Sequence, residues 1–102
     1  MNNIDTLIII PTYNEKENIR RLTSSILDIY SKADILIVDD NSPDGTGRIA
    51  TELEKKEERI NVLNREKKEG LGRAYIAGFR WALKKKYDYV FEMDADFSHQ
   101  PM

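Results

Sequence analysis

The chain contains no cysteine and only one histidine, His99. The first absence removes disulfides and thiolate metal sites, and the second removes a zinc centre built from imidazoles; a reducing compartment suits both. Prolines number three and glycines five, and there is no proline-rich linker, low-complexity tract or internal repeat to divide the chain. Charge of one sign is also lacking: 16 basic and 18 acidic residues leave a net charge of −2. No global field therefore draws the chain to nucleic acid or to an anionic membrane, and local patches must carry any such preference. No apolar run approaches the ~18 residues that span a bilayer, and the N-terminus lacks the basic, apolar and small-residue sequence of a cleaved leader. At 102 residues there is room for one domain, 1–102, which buries roughly 60–70% of its unfolded surface.

What is present is an alternation. Apolar runs rich in β-branched residues (Thr6 to Ile10, Asp34 to Val38, Arg59 to Leu63, Tyr89 to Met93) alternate with segments of helical period. That pattern predicts an α/β fold, a parallel sheet covered by helices. The first helix is expected to start at Asn14 as N-cap, with Glu17 completing a capping box and Ile19, Leu22, Ile26 and Ile29 as its buried stripe. A second follows Pro43-Asp44-Gly45, with Ile49, Ala50 and Leu53 inward and a solvated face of Glu and Lys. The third spans Leu71 to Lys85, with Ala74, Tyr75, Gly78, Trp81 and Ala82 at helical spacing, and its aromatics, Phe79 included, are read as core.

In an open parallel sheet, ligands bind beyond the carboxyl ends of the strands. The residues there are polar in this chain. Pro11-Thr12-Tyr13-Asn14-Glu15 follows the first strand, where Pro11 is expected to stop the ladder and turn the chain outward, offering the Tyr13 ring and the Glu15 carboxylate to a nucleoside. Taken alone, these residues are read somewhat better as an ordinary helix entry, with Asn14 and Glu15 in its first turn. Asp39 and Asp40 follow the second strand and suit either a base or ribose acceptor or the turn chemistry of Asp-Asp-Asn-Ser-Pro-Asp-Gly. Gly70-Leu71-Gly72 is a weak dinucleotide signal, because Tyr75 stands where a third glycine belongs, and there is no Walker A run. The neighbouring Arg65, Lys67, Lys68 and Arg73 read as a solvated loop before they read as a phosphate site. Asp94 and Asp96, one residue apart after the apolar Tyr89–Met93 run, place two hard oxygen donors on the same side of an extended segment. That is half a coordination shell for a divalent cation, and the cation in turn holds a phosphate; a pair of turn-forming or capping carboxylates is the plainer, less favoured reading.

Taken together, Pro11-Thr12-Tyr13-Asn14-Glu15, Ile37-Val38-Asp39-Asp40-Asn41-Ser42-Pro43-Asp44-Gly45-Thr46, Gly70-Leu71-Gly72 with Ala74-Tyr75 and Gly78-Phe79, and Met93-Asp94-Ala95-Asp96-Phe97-Ser98-His99 resemble the family 2 glycosyltransferases, and within them the dolichol-phosphate (polyprenol-phosphate) mannosyltransferase group. The resemblance implies the Rossmann-like, nucleotide-binding half of an A-type glycosyltransferase fold. It also implies transfer of a sugar, mannose from GDP-mannose, to a polyprenyl phosphate with inversion, using Mg2+ or Mn2+. By it, Pro11, Tyr13, Glu15, Val38 and Asp40 hold the nucleotide, and Asp94, Ala95 and Asp96 meet the diphosphate and sugar, with Asp94 and Asp96 at the metal. No general base is implied, since the acceptor is already a phosphate anion. Ser98 departs from the Gln that some relatives carry two positions after the second acid. The implied partners are the nucleotide sugar and the lipid phosphate, with no nucleic acid. The expected location, from the missing leader and spanning run, is the cytoplasm, with the cytoplasmic face of a membrane as the place where the acceptor or a later segment would make contact.

Two other readings stand beside this one. The chain is expected to be the N-terminal part of a larger enzyme, so a fragment with a nucleotide half-site and no turnover is one alternative. The other is a phosphoacceptor receiver domain, with Ile35-Leu36-Ile37-Val38-Asp39-Asp40-Asn41 as its acidic start and Asp94 as the phosphorylated residue.

Overall fold

The computed structural model describes residues 6–66 and 70–93. They form β1 (Thr6–Thr12), α1 (Ile19–Ile29), β2 (Ala33–Asp39), α2 (Thr46–Lys56), β3 (Ile60–Asn64), α3 (Leu71–Lys85) and β4 (Tyr89–Glu92). The four strands make one sheet in the order β3-β2-β1-β4, every pair parallel. This is the expected α/β architecture, and its order is that of a Rossmann-type sheet, which reverses direction between β1 and β4. A receiver domain needs its third strand beside the first. The receiver reading starts at β2, so its third strand is β4, and β1 lies between β2 and β4, which removes that alternative.

The reversal also sorts the helices. Right-handed crossovers put α1 and α2 on one face while the chain moves outward to β3, and put α3 on the other face when it returns past β1 to β4. Strand alternation supplies each face with its own core. Ile8, Ile10, Ile35 and Ile37 meet Ile19, Leu22, Ile26 and Ala50 on the first face, and Leu7, Ile9, Leu36 and Val38 meet Ala74 and Ala82 on the second. Strands buried on both sides read as continuous apolar runs, which is why β1 and β2 stand out in the sequence. Truncating one of these fully buried isoleucines to alanine costs about 2–5 kcal/mol.

Three details differ from expectation. Asn14 does not cap α1, which begins at Ile19 after Asn18 and has no side-chain cap. Asn14 instead adopts a left-handed conformation, φ 58°, and its N–H is spent on a neighbouring loop. Ile29, at the rim of the stripe in the last turn of α1, is 61% exposed; the inward position that goes unnoticed is Thr23, buried with its hydroxyl donating to the Ile19 carbonyl at 2.9 Å. Phe79 lies outside the core at 37% exposure. The contact face of α3 consists of Ala74, Gly78 and Ala82, and it approaches so closely that a Cβ on Gly78 would lie 2.9 Å from Ile9 Cγ2.

Candidate functional site

Ligands in a doubly wound sheet gather at the carboxyl edge where the strand order reverses, here between β1 and β4. Pro11 lies at that point. It does not end β1, which continues to Thr12 in register with β2, Pro11 opposite Val38 and Thr12 opposite Asp39. Residues of a parallel strand turn their N–H and C=O groups to the two neighbours in alternation. Ile9 faces β4, since its carbonyl accepts from the Met93 N–H at 3.0 Å, and Thr12 faces β2, where its carbonyl accepts from the Asp40 N–H at 3.2 Å. Pro11 therefore faces β4 and has no N–H to give it. The β1–β2 ladder continues past it to Thr12, and the described pairing of β1 with β4 runs from Thr6 opposite Tyr89 to Ile9 opposite Glu92.

Alternation also separates the two neighbouring aspartates. Asp39 shares the parity of Ile35 and Ile37 and turns toward the α2 side, and Asp40 takes the opposite parity. Asp39, 1% exposed, is fully occupied by protein donors. Its Oδ1 accepts from Thr12 Oγ1 at 2.7 Å and from Ser42 Oγ at 2.6 Å, and its Oδ2 accepts from the Ser42 N–H at 2.9 Å. Of the two readings open for the pair, Asp39 takes the turn chemistry. Asp40, 5% exposed, accepts at Oδ1 from the Arg65 Nη1 at 3.1 Å and has no other side-chain partner among the described residues. No buried side-chain oxygen or nitrogen goes unpartnered among the described residues.

Arg65 is thus no part of a solvated loop. It is anchored by its own N–H to the Asp39 carbonyl at 2.7 Å, and only 14% of its side chain is exposed. Its role is invisible in the sequence because the partner lies 25 residues away; the one signal is that it directly follows β3, level with Asp39 and Asp40 beyond β2. Arg73 is exposed on α3, and Lys67 and Lys68 lie outside the described residues.

The segment after β1 is clamped onto the loop after β2. Three successive backbone N–H groups are captured there: Asn14 by Ser42 Oγ at 3.0 Å, Glu15 by Thr46 Oγ1 at 2.9 Å, and Lys16 by Asp44 Oδ2 at 3.1 Å. Asp44 also accepts from the Thr46 N–H and hydroxyl, an Asx turn that opens α2. Burial raises the pKa of Asp44, but the hydrogen bonds from Thr46 and Lys16 together with the Lys16 charge outweigh it, and the carboxyl lies below its ordinary value. The clamp fixes the backbone that carries Tyr13, whose ring is 36% exposed, and Glu15, whose Oε2 accepts from Asn18 Nδ2 at 3.2 Å. Val38 is fully buried against α3, 3.4 Å from a Cβ built on Gly78. Its side chain is spent on packing, and it serves the site by holding Asp39 and Asp40 beyond it.

Of the nucleotide residues read from the sequence, Pro11, Tyr13, Glu15 and Asp40 come together at this edge. Asp94, Ala95 and Asp96 follow Met93 and lie outside the described residues. Among the described residues, no three His, Cys, Asp or Glu side chains are grouped to hold a metal ion. Asp39 is saturated and Asp40 is paired, so neither offers a bare carboxylate to a cation.

Comparison with known proteins agrees with this architecture. Residues 7–102 match the family model described as Glycosyl transferase family 2. The chain is 52% identical over 95 residues to an undecaprenyl-phosphate mannosyltransferase of Micrococcus luteus, covering 93% of this chain and 39% of that protein. It is 50% identical over 97 residues to a polyprenol monophosphomannose synthase of Mycolicibacterium smegmatis, covering 94% of this chain and 37% of that protein. The chain therefore spans somewhat under two-fifths of the length of these relatives. A solved mannosyltransferase from Pyrobaculum calidifontis, in complex with GDP-Man and Mn2+, superposes with a TM-score of 0.77 at 25% identity over 89% of this chain and 27% of that one. The chain belongs to glycosyl transferase family 2.

Proposed function

We propose that the chain is the nucleotide-sugar-binding part of a glycosyltransferase that moves mannose from GDP-mannose to a polyprenyl phosphate, with inversion. One observation carries the reading: in a chain half identical to two mannosyltransferases, Tyr13, Glu15 and Asp40 follow β1 and β2 at the carboxyl edge of the sheet. Asp40 Oδ2 is an acceptor for the ring and exocyclic N–H groups of a guanine base, and the Tyr13 ring offers a face on which a base stacks. Pro11 and Val38 shape and support the crevice. The backbone clamp on residues 14–16 holds it in place before the ligand arrives, which lowers the ordering cost of binding.

Asp94 and Asp96, the first and third residues after Met93, supply the hard oxygen donors that the described residues lack, with Ala95 between them beside the diphosphate and sugar. Their carboxylates suit Mg2+ or Mn2+ equally, and Mn2+ accompanies GDP-Man in the Pyrobaculum calidifontis protein. Such an ion, when bound, offsets the negative charge that develops on the departing nucleoside diphosphate. The acceptor is an anion already, so the chain has no proton to remove from it.

Calorimetric titration with GDP-mannose, GDP and UDP, each with Mn2+ and then with EDTA, tests the reading. Metal-dependent binding that favours the guanine nucleotides is expected. Asp96→Asn should abolish the metal dependence and leave the helical circular dichroism unchanged. Equal affinity for UDP would remove the guanine assignment, and binding unaffected by EDTA would remove the metal site.

A further inference from the structure

α3 and its C-terminal cap carry Arg73, Arg80, Lys84, Lys85 and Lys86 and neither Asp nor Glu, in a chain whose acids outnumber its bases. The face toward the sheet consists of Ala74, Gly78 and Ala82. At 3.6 residues per turn, Ile76, Phe79 and Leu83 form a stripe on the opposite side. These three are 50%, 37% and 78% exposed. Arg73, Arg80 and Lys84 run along one flank of the stripe, and none of them has a hydrogen-bond or ion-pair partner among the described residues. Lys85 is different, since its ammonium lies 5.5 Å from the Trp81 ring centroid.

An apolar stripe with a border of unpaired cations and no acid is the composition of a helix that lies in the headgroup layer of an anionic bilayer. A covering polypeptide would satisfy Ile76, Phe79 and Leu83 but would have to bring a matching row of acids for the flank. An anionic lipid surface satisfies both at once. We infer that the outer face of α3 docks on membranes that contain anionic phospholipid. The inference rests on α3 alone and stands apart from the transferase reading. Its geometry is nonetheless useful to that reading: α3 begins at the carboxyl edge, so a flat-lying helix holds that edge about one helix diameter, roughly 10 Å, above the headgroups.

The test is co-sedimentation of the chain with vesicles of phosphatidylcholine alone and of phosphatidylcholine mixed with phosphatidylglycerol, with no nucleotide or lipid phosphate acceptor present. Binding is expected only to the mixed vesicles, and it should weaken as salt rises. Each basic residue near an anionic surface contributes on the order of fivefold, so Arg73→Gln, Arg80→Gln and Lys84→Gln combined should lower the partition coefficient by on the order of a hundredfold. Leu83→Gln should weaken it too, and both variants, altered only at exposed positions, should keep the parent's circular dichroism and melting temperature. If the triple variant fails to fold, the salt dependence of the parent chain decides the same question. Equal binding to both kinds of vesicle, binding to neither, or a folded charge variant that binds like the parent overturns the inference. So does a chain that ignores vesicles and dimerises until Leu83→Gln makes it monomeric, because the stripe then belongs to a second copy.

Discussion

Arg65 and Asp40 form a nearly buried ion pair, Nη1 to Oδ1 at 3.1 Å, at the end of the sheet where the two strands that carry them stop. The pair occupies Oδ1 of the carboxylate. Removing one member of a buried pair leaves the other charge unpaired and out of water, which costs about 3–5 kcal/mol. Arg65→Gln should therefore lower unfolding free energy by about 3 kcal/mol, toward the low end because part of the guanidinium meets solvent. Adding Asp40→Asn should recover most of that loss while abolishing guanine-nucleotide binding. Urea denaturation of the two single variants and the double closes the cycle, and additive losses would mean the pair contributes nothing.

Gly47 sits in the first turn of α2 directly against the buried Asp39. A Cβ there would lie 2.9 Å from Asp39 Oδ2 and 3.0 Å from Asn64 Oδ1. The carboxylate cannot retreat, being fixed by Thr12 and twice by Ser42. Gly47→Ala gains up to ~1 kcal/mol of helix propensity, but overpacking a fixed polar group costs about 1–3 kcal/mol. The net expectation is a loss of roughly 1 kcal/mol together with weaker nucleotide affinity, because Asp40 is the next residue. A stabilised variant with unchanged affinity would show that the Asp39 network yields freely.

These two sites also show how far the sequence could be read. The strands, the span of α3 and the polar carboxyl edge are legible, because buried parallel strands leave apolar runs and the edge collects polar residues. What escapes is pairing across distance. Nothing local marks Arg65 as the partner of Asp40, or distinguishes Asp39 from Asp40 before the register of Thr12 opposite Asp39 is known. The start of α1 is misplaced for the same reason. Asn14 and Glu17 make a good local capping box, but Ser42, Asp44 and Thr46, about thirty residues on, claim the N–H groups of residues 14–16.

Asp44 gives that clamp a pH dependence. Its folded pKa lies below the ordinary 3.8, since the bonds from Thr46 and Lys16 and the Lys16 charge outweigh the opposing effect of burial. A depressed carboxyl stabilises the fold above its unfolded pKa, and the contribution is lost as pH falls through the folded pKa. Asp44→Ala should thus cost about 1 kcal/mol at neutral pH, as the loss of a helix-opening acceptor does. The gap between parent and variant should narrow as the pH is lowered below the ordinary carboxyl range. Thermal melts of both chains from neutral to acid pH check this; a gap that stays constant would place the stabilisation in the backbone geometry of the turn.

Lys86 closes α3 in a left-handed conformation, φ 60° and ψ 49°, where a β-carbon costs roughly 1–2 kcal/mol. Glycine is the residue that helices prefer there, and its extra freedom in the unfolded chain takes back about 0.5–1 kcal/mol. The strain persists because the next residue is tied down: Tyr87 donates its hydroxyl to Asp34 Oδ2 at 2.7 Å and stacks on Trp81, so α3 must end within this turn before β4 begins. Lys86→Gly should raise unfolding free energy by about 0.5–1 kcal/mol, and Lys86→Ala, which keeps the β-carbon, should not. Urea midpoints for the two variants separate conformational relief from loss of the lysine charge, because both remove the charge and only one removes the strain.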